Sequence, residues 1–178
     1  MIRTHEPSVK PVGSSCPSLS FSGAAAAEES DRAEELTRRT YAIHTVSKDL
    51  LATGTSYGLV LYRLNDRGFP TRAGALKLGD AVTALASKDP LVYSGNGPRG
   101  LVVVDVADPD APVEVARLET PGPILRLLQD GDRFYAAMGT MGVGVIDVRK
   151  RRAPTFVLRH DVPGNTRDLA WGPRGIVA

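Results

Sequence analysis

The chain has 178 residues, of which 24% are charged, and carries a formal net charge of +2. Charges of both signs are scattered along it, so no nucleic-acid footprint is present, and the single cysteine, Cys16, excludes a disulfide framework and a Cys-based zinc site. No run approaches the roughly 18 apolar residues of a membrane span, while 18 glycines and 13 prolines suit many short strands joined by turns.

Residues 1–38 precede the patterned part. Met1 to Ser22 is rich in Ser and Pro and has no apolar period; four alanines follow, then the charged run Glu28 to Arg39. A signal peptide needs a basic start and about 7–15 apolar residues. Leu19-Ser-Phe-Ser-Gly-Ala24 is too short and too polar, and Cys16 has no apolar segment before it to mark a lipoprotein site. The segment reads as a flexible lead-in or the product of a misplaced start codon. Residues 28–39 place acids first and bases last, which suits a short helix dipole. Ala33 and Leu36 also stand in register with Ala75 and Leu78 of an outer strand; of the two readings, helix is favoured.

From Arg39 onward one pattern recurs every 42 residues. Gly58-Leu-Val-Leu-Tyr-Arg-Leu64, Gly100-Leu-Val-Val-Val-Asp-Val106 and Gly142-Val-Gly-Val-Ile-Asp-Val148 are successive copies. Pro70, Pro112 and Pro154 form one column, Tyr93 and Tyr135 another, and Ile43, Leu85, Leu127 and Leu169 a third. Leu50-Leu51 aligns with Val92-Tyr93, Phe134-Tyr135 and Ile176-Val177, each followed by a small residue (Ala52, Ser94, Ala136, Ala178). Glycine-bearing joints recur at Leu78-Gly79-Asp80, Thr120-Pro121-Gly122 and Val162-Pro163-Gly164. Such self-similarity marks a tandem array, with units 39–80, 81–122 and 123–164 and a partial unit 165–178. Unit two holds four apolar runs, Val82–Ser87, Leu91–Ser94, Leu101–Val106 and Val113–Leu118, broken by Lys88-Asp-Pro90, Gly95–Gly100 and Asp108–Pro112. The breaks are turn signals and the runs read as strands. The third run is apolar on both faces, as a strand between neighbouring sheets must be. Four strands in about 40–50 residues make one propeller blade. The expected fold is therefore all-β, a partial β-propeller of four-stranded antiparallel blades, incomplete at the C-terminus because closure takes about four to eight blades. On that ground the chain is expected to be a piece of a longer protein.

Unit two, Gly100-Leu-Val-Val-Val-Asp-Val-Ala-Asp-Pro-Asp-Ala-Pro-Val-Glu-Val115 with Leu91-Val-Tyr-Ser94 before it and Thr120-Pro-Gly122 after it, resembles the LVIVD repeat. Unit three keeps Val145-Ile-Asp-Val148 and Pro154 but has Arg149-Lys-Arg-Arg152 at the turn. Unit one has Arg63 where the others have Asp105 and Asp147. The resemblance spans 39–178. It implies a β-propeller on a secreted or cell-surface bacterial protein, without a defined activity. The expected function is a non-enzymatic binding or scaffold module of the cell envelope or exterior, without a cofactor, whose partner is a protein or glycan and whose open blade edges allow self-association. Resemblance to propellers generally places binding on the face built from second-to-third-strand turns and inter-blade joints, where Tyr57, Arg99, Met141 and Asn165 stand. The alternative is a propeller enzyme, lactonase-like or quinone-dependent-dehydrogenase-like, completed by blades outside this chain. Asp80, Arg126 and Asp168 near the innermost strands are its candidate groups.

Other motifs carry bland readings. Gly54-Thr-Ser56-Tyr-Gly58 matches a nucleophile elbow in letters, but the elbow needs a following helix and a strand follows here. Gly139-Thr-Met-Gly142-Val-Gly144 fails as a dinucleotide loop for the same reason. Asp105, Asp108 and Asp110 lack the spacing of a calcium loop; Asp105 and Asp147 close a strand, where a carboxylate accepts backbone N–H groups across the turn. Arg149–Arg152 reads as a solvated hairpin tip, His44 and His160 as structural, and Trp171 as packing between blades.

Overall fold

A computed structural model describes residues 39–178. The lead-in, Cys16 and the helix expected over 28–39 lie outside the described residues, apart from Arg39. Alternating apolar runs cut by Gly, Pro and Asp produce strands of three to eight residues and no α-helix among the described residues. The first sheet is β1 (Thr40–Ser47), β2 (Leu50–Thr55), β3 (Gly58–Leu64) and β4 (Pro70–Lys77). The second is β5 (Val82–Lys88), β6 (Leu91–Asn96), β7 (Leu101–Asp105) and β8 (Val113–Leu118). The third is β9 (Arg126–Asp130), β10 (Arg133–Ala137), β11 (Val143–Asp147) and β12 (Thr155–His160), and the hairpin β13 (Ala170–Gly172)–β14 (Gly175–Val177) starts a fourth. Each full sheet is an antiparallel meander in chain order. The first strands β1, β5 and β9 approach one another across sheets, so they form the inner edge and β4, β8 and β12 the outer edge. The expected four-stranded blades are present.

Blades bury each other. One apolar cluster joins blades one and two through Leu50, Ala52, Leu59 and Leu61 against Val82, Leu85, Val92, Val102 and Val104. The next joins blades two and three through Leu91, Tyr93, Leu101 and Val103 against Ile124, Leu127, Phe134 and Ile146. A smaller cluster holds Ala137, Val143 and Leu169 at the fourth hairpin. Leu101–Val104 are fully buried on both faces, as their unbroken apolar run requires. Of the inner column, Leu85, Leu127 and Leu169 are buried against the preceding blade, whereas Ile43, on the first sheet, is 68% exposed.

The register departs from an even 42 at one place. Pairing sets Leu50 opposite Arg63, Leu91 opposite Asp105 and Arg133 opposite Asp147. Leu50 is thus the counterpart of Leu91 rather than Val92, and Ala52 that of Tyr93 rather than Ser94. The cause is a pair of compensating irregularities. β1 carries an extra residue where its register shifts between Thr45 and Ser47. Between the pairs Gly54–Leu59 and Gly95–Leu101 the β2–β3 connection is one residue shorter than the β6–β7 connection, where Gly97–Arg99 form a 3-10 turn. Glycine placement agrees with this register. A Cβ on Gly54 would lie 2.6 Å from Val82 Cγ1, and one on Gly95 2.8 Å from Ile124 Cβ. Both positions are kept bare so that the next blade's entering strand can close in.

Candidate functional site

The β2–β3, β6–β7 and β10–β11 turns share one end of the blades with the joints that lead into β5 and β9, because Gly58 pairs with Lys77, Leu101 with Leu118 and Val143 with His160. Gly58, Gly100 and Gly142 each open the third strand with positive φ (154°, 77° and 73°), a conformation that glycine adopts without a Cβ penalty. Tyr57, Arg99 and Met141 immediately precede these glycines, so all three side chains rise at this end. Tyr57 is 59% exposed. Arg99 turns back over its own blade's entry joint, with Nε 2.6 Å from Asp80 Oδ2 and its guanidinium over Gly79. Met141 packs on the next joint at Gly122 and touches the core between blades two and three; Arg159 Nη1 donates to its sulfur at 3.4 Å. Asn165, in the last joint, faces Gly139, beside the backbone bridge between Gly139 and Thr166. Arg99, Met141 and Asn165 therefore cover three different joints rather than converging on one point. An open cavity of about 450 Å³ lies at this end, lined by Pro98, Arg99, Arg117, Glu119 and Thr120. Arg117 beside it is held by both oxygens of Glu114, at 3.0 and 2.8 Å.

The candidate catalytic groups are paired off. Asp80 takes Arg99, and Asp168 takes Arg126 at 3.2 Å and also accepts its neighbour's Leu169 N–H at 2.8 Å. Ser56 sits in a strand-to-strand turn, its N–H on Arg39 O, with no helix to complete an elbow. His44 has a partner that its sequence context does not announce: its Nε2 lies 2.9 Å from Ser87 Oγ, between the inner strands of blades one and two. Burial, aided by the positive charge of Arg126, lowers the imidazole's pKa from its usual 6.5, so the ring is neutral at pH 7.

The opposite end is where charge is concentrated. Asp105 Oδ1 accepts Ala107 N–H at 3.0 Å and Asp147 Oδ1 accepts Arg149 N–H at 2.9 Å, the strand-closing role expected of them. Both carboxyls are held below the usual range, Asp105 chiefly by that backbone donor and then by Arg152, Asp147 chiefly by the Arg149 side chain. Asp108 accepts the N–H of Asp110, and Asp110 in turn receives the Arg63 fork at 2.5 and 2.9 Å. The three carboxylates of this turn thus look in different directions, each on its own partner. Among the described residues, no three His, Cys, Asp or Glu stand as a metal cluster. The Arg149–Arg152 turn is more than a solvated tip. Arg151 donates to Asp89 O at 3.2 Å and its own carbonyl accepts from Tyr93 Oη at 2.8 Å. Arg152 pairs with Asp105, so blade three's turn clamps blade two. Lys88 pairs in the same sense with Asp132 and Gly131 O of the following blade.

The comparisons with known proteins agree on architecture. A propeller domain of Swd1 (Cps50) from Myceliophteria thermophila superposes with a TM-score of 0.53 at 17% identity, over 70% of this chain and 39% of that one. The fold is a β-propeller's. The computationally designed proteins Ika4 and Ika8 give TM-scores of 0.53 and 0.52 at 18% and 13% identity. They cover 75% and 74% of this chain and 78% and 38% of theirs. The chain thus spans about two fifths of the Swd1 domain's length. No protein-family model matches the sequence, and no curated protein matches it.

Sequence reasoning located the turns and joints but missed how their residues are used. Arg63 and Asp110 read separately as a divergence and an acidic turn. A search of the two columns 63/105 and 110/152 for complementary charge, rather than for likeness, would have found the clamps.

Proposed function

We propose that the chain is a non-enzymatic binding module of the LVIVD-repeat type, part of a bacterial surface or secreted protein. Its partner is a protein, met by the blade end that carries Tyr57, Arg99, Met141 and Asn165. The observation that carries this reading is the placement of one side-chain column. Tyr57, Arg99 and Met141 recur at the same turn of three blades stacked on continuous apolar interfaces, so they form a row on a rigid support. Tyr, Arg and Met are the residue types enriched at the cores of protein interfaces, and Tyr57 is 59% exposed. The acids that an enzyme would need free at the inner edge are instead bound by arginines, Asp80 by Arg99 and Asp168 by Arg126.

The test is site-specific photo-crosslinking in the native host, with benzoylphenylalanine placed at Tyr57 and, as a control, at Lys150 on the opposite end. A discrete protein adduct from position 57 and none from position 150 is the expected result. Binding on a glycan array with no protein adduct would move the reading to a carbohydrate partner. Turnover of a lactone panel, or quinone-dependent oxidation, that is lost in Asp168→Asn would overturn it in favour of an enzyme.

A further inference from the structure

Two ion pairs occupy the same place in successive blade interfaces with their signs exchanged. Between blades one and two, Arg63 at the end of β3 holds Asp110 in the β7–β8 turn, nitrogen to oxygen at 2.5 and 2.9 Å. Between blades two and three, Asp105 at the end of β7 holds Arg152 in the β11–β12 turn. The positions are equivalent by pairing: Arg63 stands opposite Thr71 and Asp105 opposite Val113, and Asp110 and Arg152 are each two residues before their turn's closing proline. The third member of the strand column, Asp147, is engaged within its own turn by Arg149, and Gly68 is the member of the turn column in blade one.

At the entering strands the apolar contacts do not tell one blade from another, although the central positions differ in bulk, Ala52 and Val92 against Tyr93 and Phe134. Val82 enters against Gly54 as Ile124 enters against Gly95, and Leu85 and Leu127 fill the same site. A wrongly docked blade would therefore still meet an apolar face, imperfectly matched at its centre but alike where its entering strand closes in. The charges would not be acceptable. Blade one against blade three's turn sets Arg63 on Arg152, and blade two against the blade-two turn of another copy sets Asp105 on Asp110. These two wrong pairings are like-charged and both right ones are opposite, while the third strand acid, Asp147, is already engaged by Arg149. Building in repulsion of this kind is how specificity is achieved against competitors that share the attractive contacts. We infer that this pair is an address that fixes blade order, and that it rejects misordered docking of a second copy of the chain. Its effect is on choice more than on stability, because exposed ion pairs contribute little by themselves and Arg63 and Asp110 have side chains 48% and 59% exposed.

The experiment compares the full chain with two variants at the first pair. R63D/D110R keeps an opposite-charge pair but gives both interfaces the same polarity. The carboxylate introduced at position 63 then accepts Arg152, and Asp105 accepts the guanidinium introduced at position 110 of another copy. R63Q/D110N removes the charges. Each is refolded from urea at about 10 mM and at about 1 M salt, where the screening length is roughly 30 and 3 Å, and the oligomeric fraction is read by size exclusion with light scattering. The address predicts wild type lowest, the neutral variant intermediate and R63D/D110R highest at low salt. Successive steps are roughly threefold, the ratio carried by an ordinary surface pair, and all three converge at high salt. If the pair acts only as a staple, R63D/D110R behaves as wild type and the neutral variant is highest; that order, or no difference between the three at low salt, overturns the inference. If R63D/D110R does not fold by circular dichroism, D105K/R152E applies the same polarity test at the second interface, with the same two outcomes.

Discussion

The first two blade interfaces are built on one backbone plan and packed in two ways. Between blades one and two the central facing positions hold Ala52 and Val92, and the cluster is aliphatic throughout. Between blades two and three the same positions hold Tyr93 and Phe134, whose rings meet edge to face at 4.8 Å, and the Tyr93 hydroxyl reaches across to Arg151 O. Near the inner edge the balance reverses. The first interface has the His44–Ser87 hydrogen bond, whereas the counterparts of these residues in the second are Ala86 and Gln129. A repeat fixes where side chains meet; it leaves open whether aromatic bulk, a polar pair or a charge does the joining.

The largest break in the comparison comes from removing the aromatic partner. Phe134→Ala is expected to cost about 3–5 kcal/mol, the range for truncating a buried Phe with partial collapse of the cavity. Val92→Ala at the equivalent place removes two buried carbons and should cost about 2 kcal/mol. Urea unfolding followed by tryptophan fluorescence and circular dichroism measures both. Equal costs would show that the second interface does not depend on its aromatic pair.

Next in size is a test of the register itself. If Gly54 and Gly95 are true counterparts, Gly54→Ala and Gly95→Ala should each cost about 1–3 kcal/mol, the price of forcing a methyl group into a filled contact. A Cβ on Gly54 would stand 2.5 Å from Val82 O, and one on Gly95 2.8 Å from Ile124 O. Under an even spacing of 42 the counterpart of Gly54 would be Asn96, and no such parity would follow. Tolerance of alanine at position 54 with intolerance at 95 would break the equivalence.

How much of this was legible follows from what a repeat must conserve. The columns Ile43/Leu85/Leu127/Leu169 and Gly58/Gly100/Gly142 were readable for two reasons. Leu85, Leu127 and Leu169 are buried on the preceding blade, leaving only Ile43 of the first sheet exposed, and Gly58, Gly100 and Gly142 hold the same positive-φ turn. Together they set blades, strand order and the turn end that carries Tyr57, Arg99 and Met141. The slip that pairs Leu50 with Leu91 was not readable, because the extra residue in β1 and the shorter β2–β3 turn cancel by Gly58. The contacts of Arg99 with Asp80 and of Met141 with Gly122 were hidden for another reason. Both partners lie in joints whose composition says turn and nothing about what covers it.

A smaller effect separates the two interfaces by one hydroxyl. Tyr93→Phe keeps the ring contact with Phe134 and loses only the bond to Arg151 O, so a loss of about 0.5–1.5 kcal/mol is expected. Burial raises the Tyr93 pKa above its usual 10.0, so the group stays protonated and donating throughout the neutral range. A null result in the same unfolding assay would assign the whole advantage of the second interface to aromatic packing.

The smallest effect belongs to the first interface and is seen only with pH. His44, on β1, faces the blade-two strand β5, with Ser87 opposite it and the Arg126 charge acting on it. Its folded pKa is below 6.5, chiefly because burial disfavours the imidazolium. As pH falls through 6.5 the unfolded chain takes up a proton that the folded chain does not, so stability declines from that point down to the folded pKa and is fully present above 6.5. The depressed carboxyls Asp105, Asp110 and Asp147 act in a separate window, below their usual 3.8. Melting temperatures at pH 7.5 and 5.5 should therefore differ more in wild type than in His44→Gln, whose amide keeps a hydrogen bond to Ser87 without titrating. Identical pH responses of the two chains would mean that the polar pair at the first interface is no more than a spacer, and that the two interfaces differ in bulk, in the Tyr93 hydroxyl bond and in charge sign.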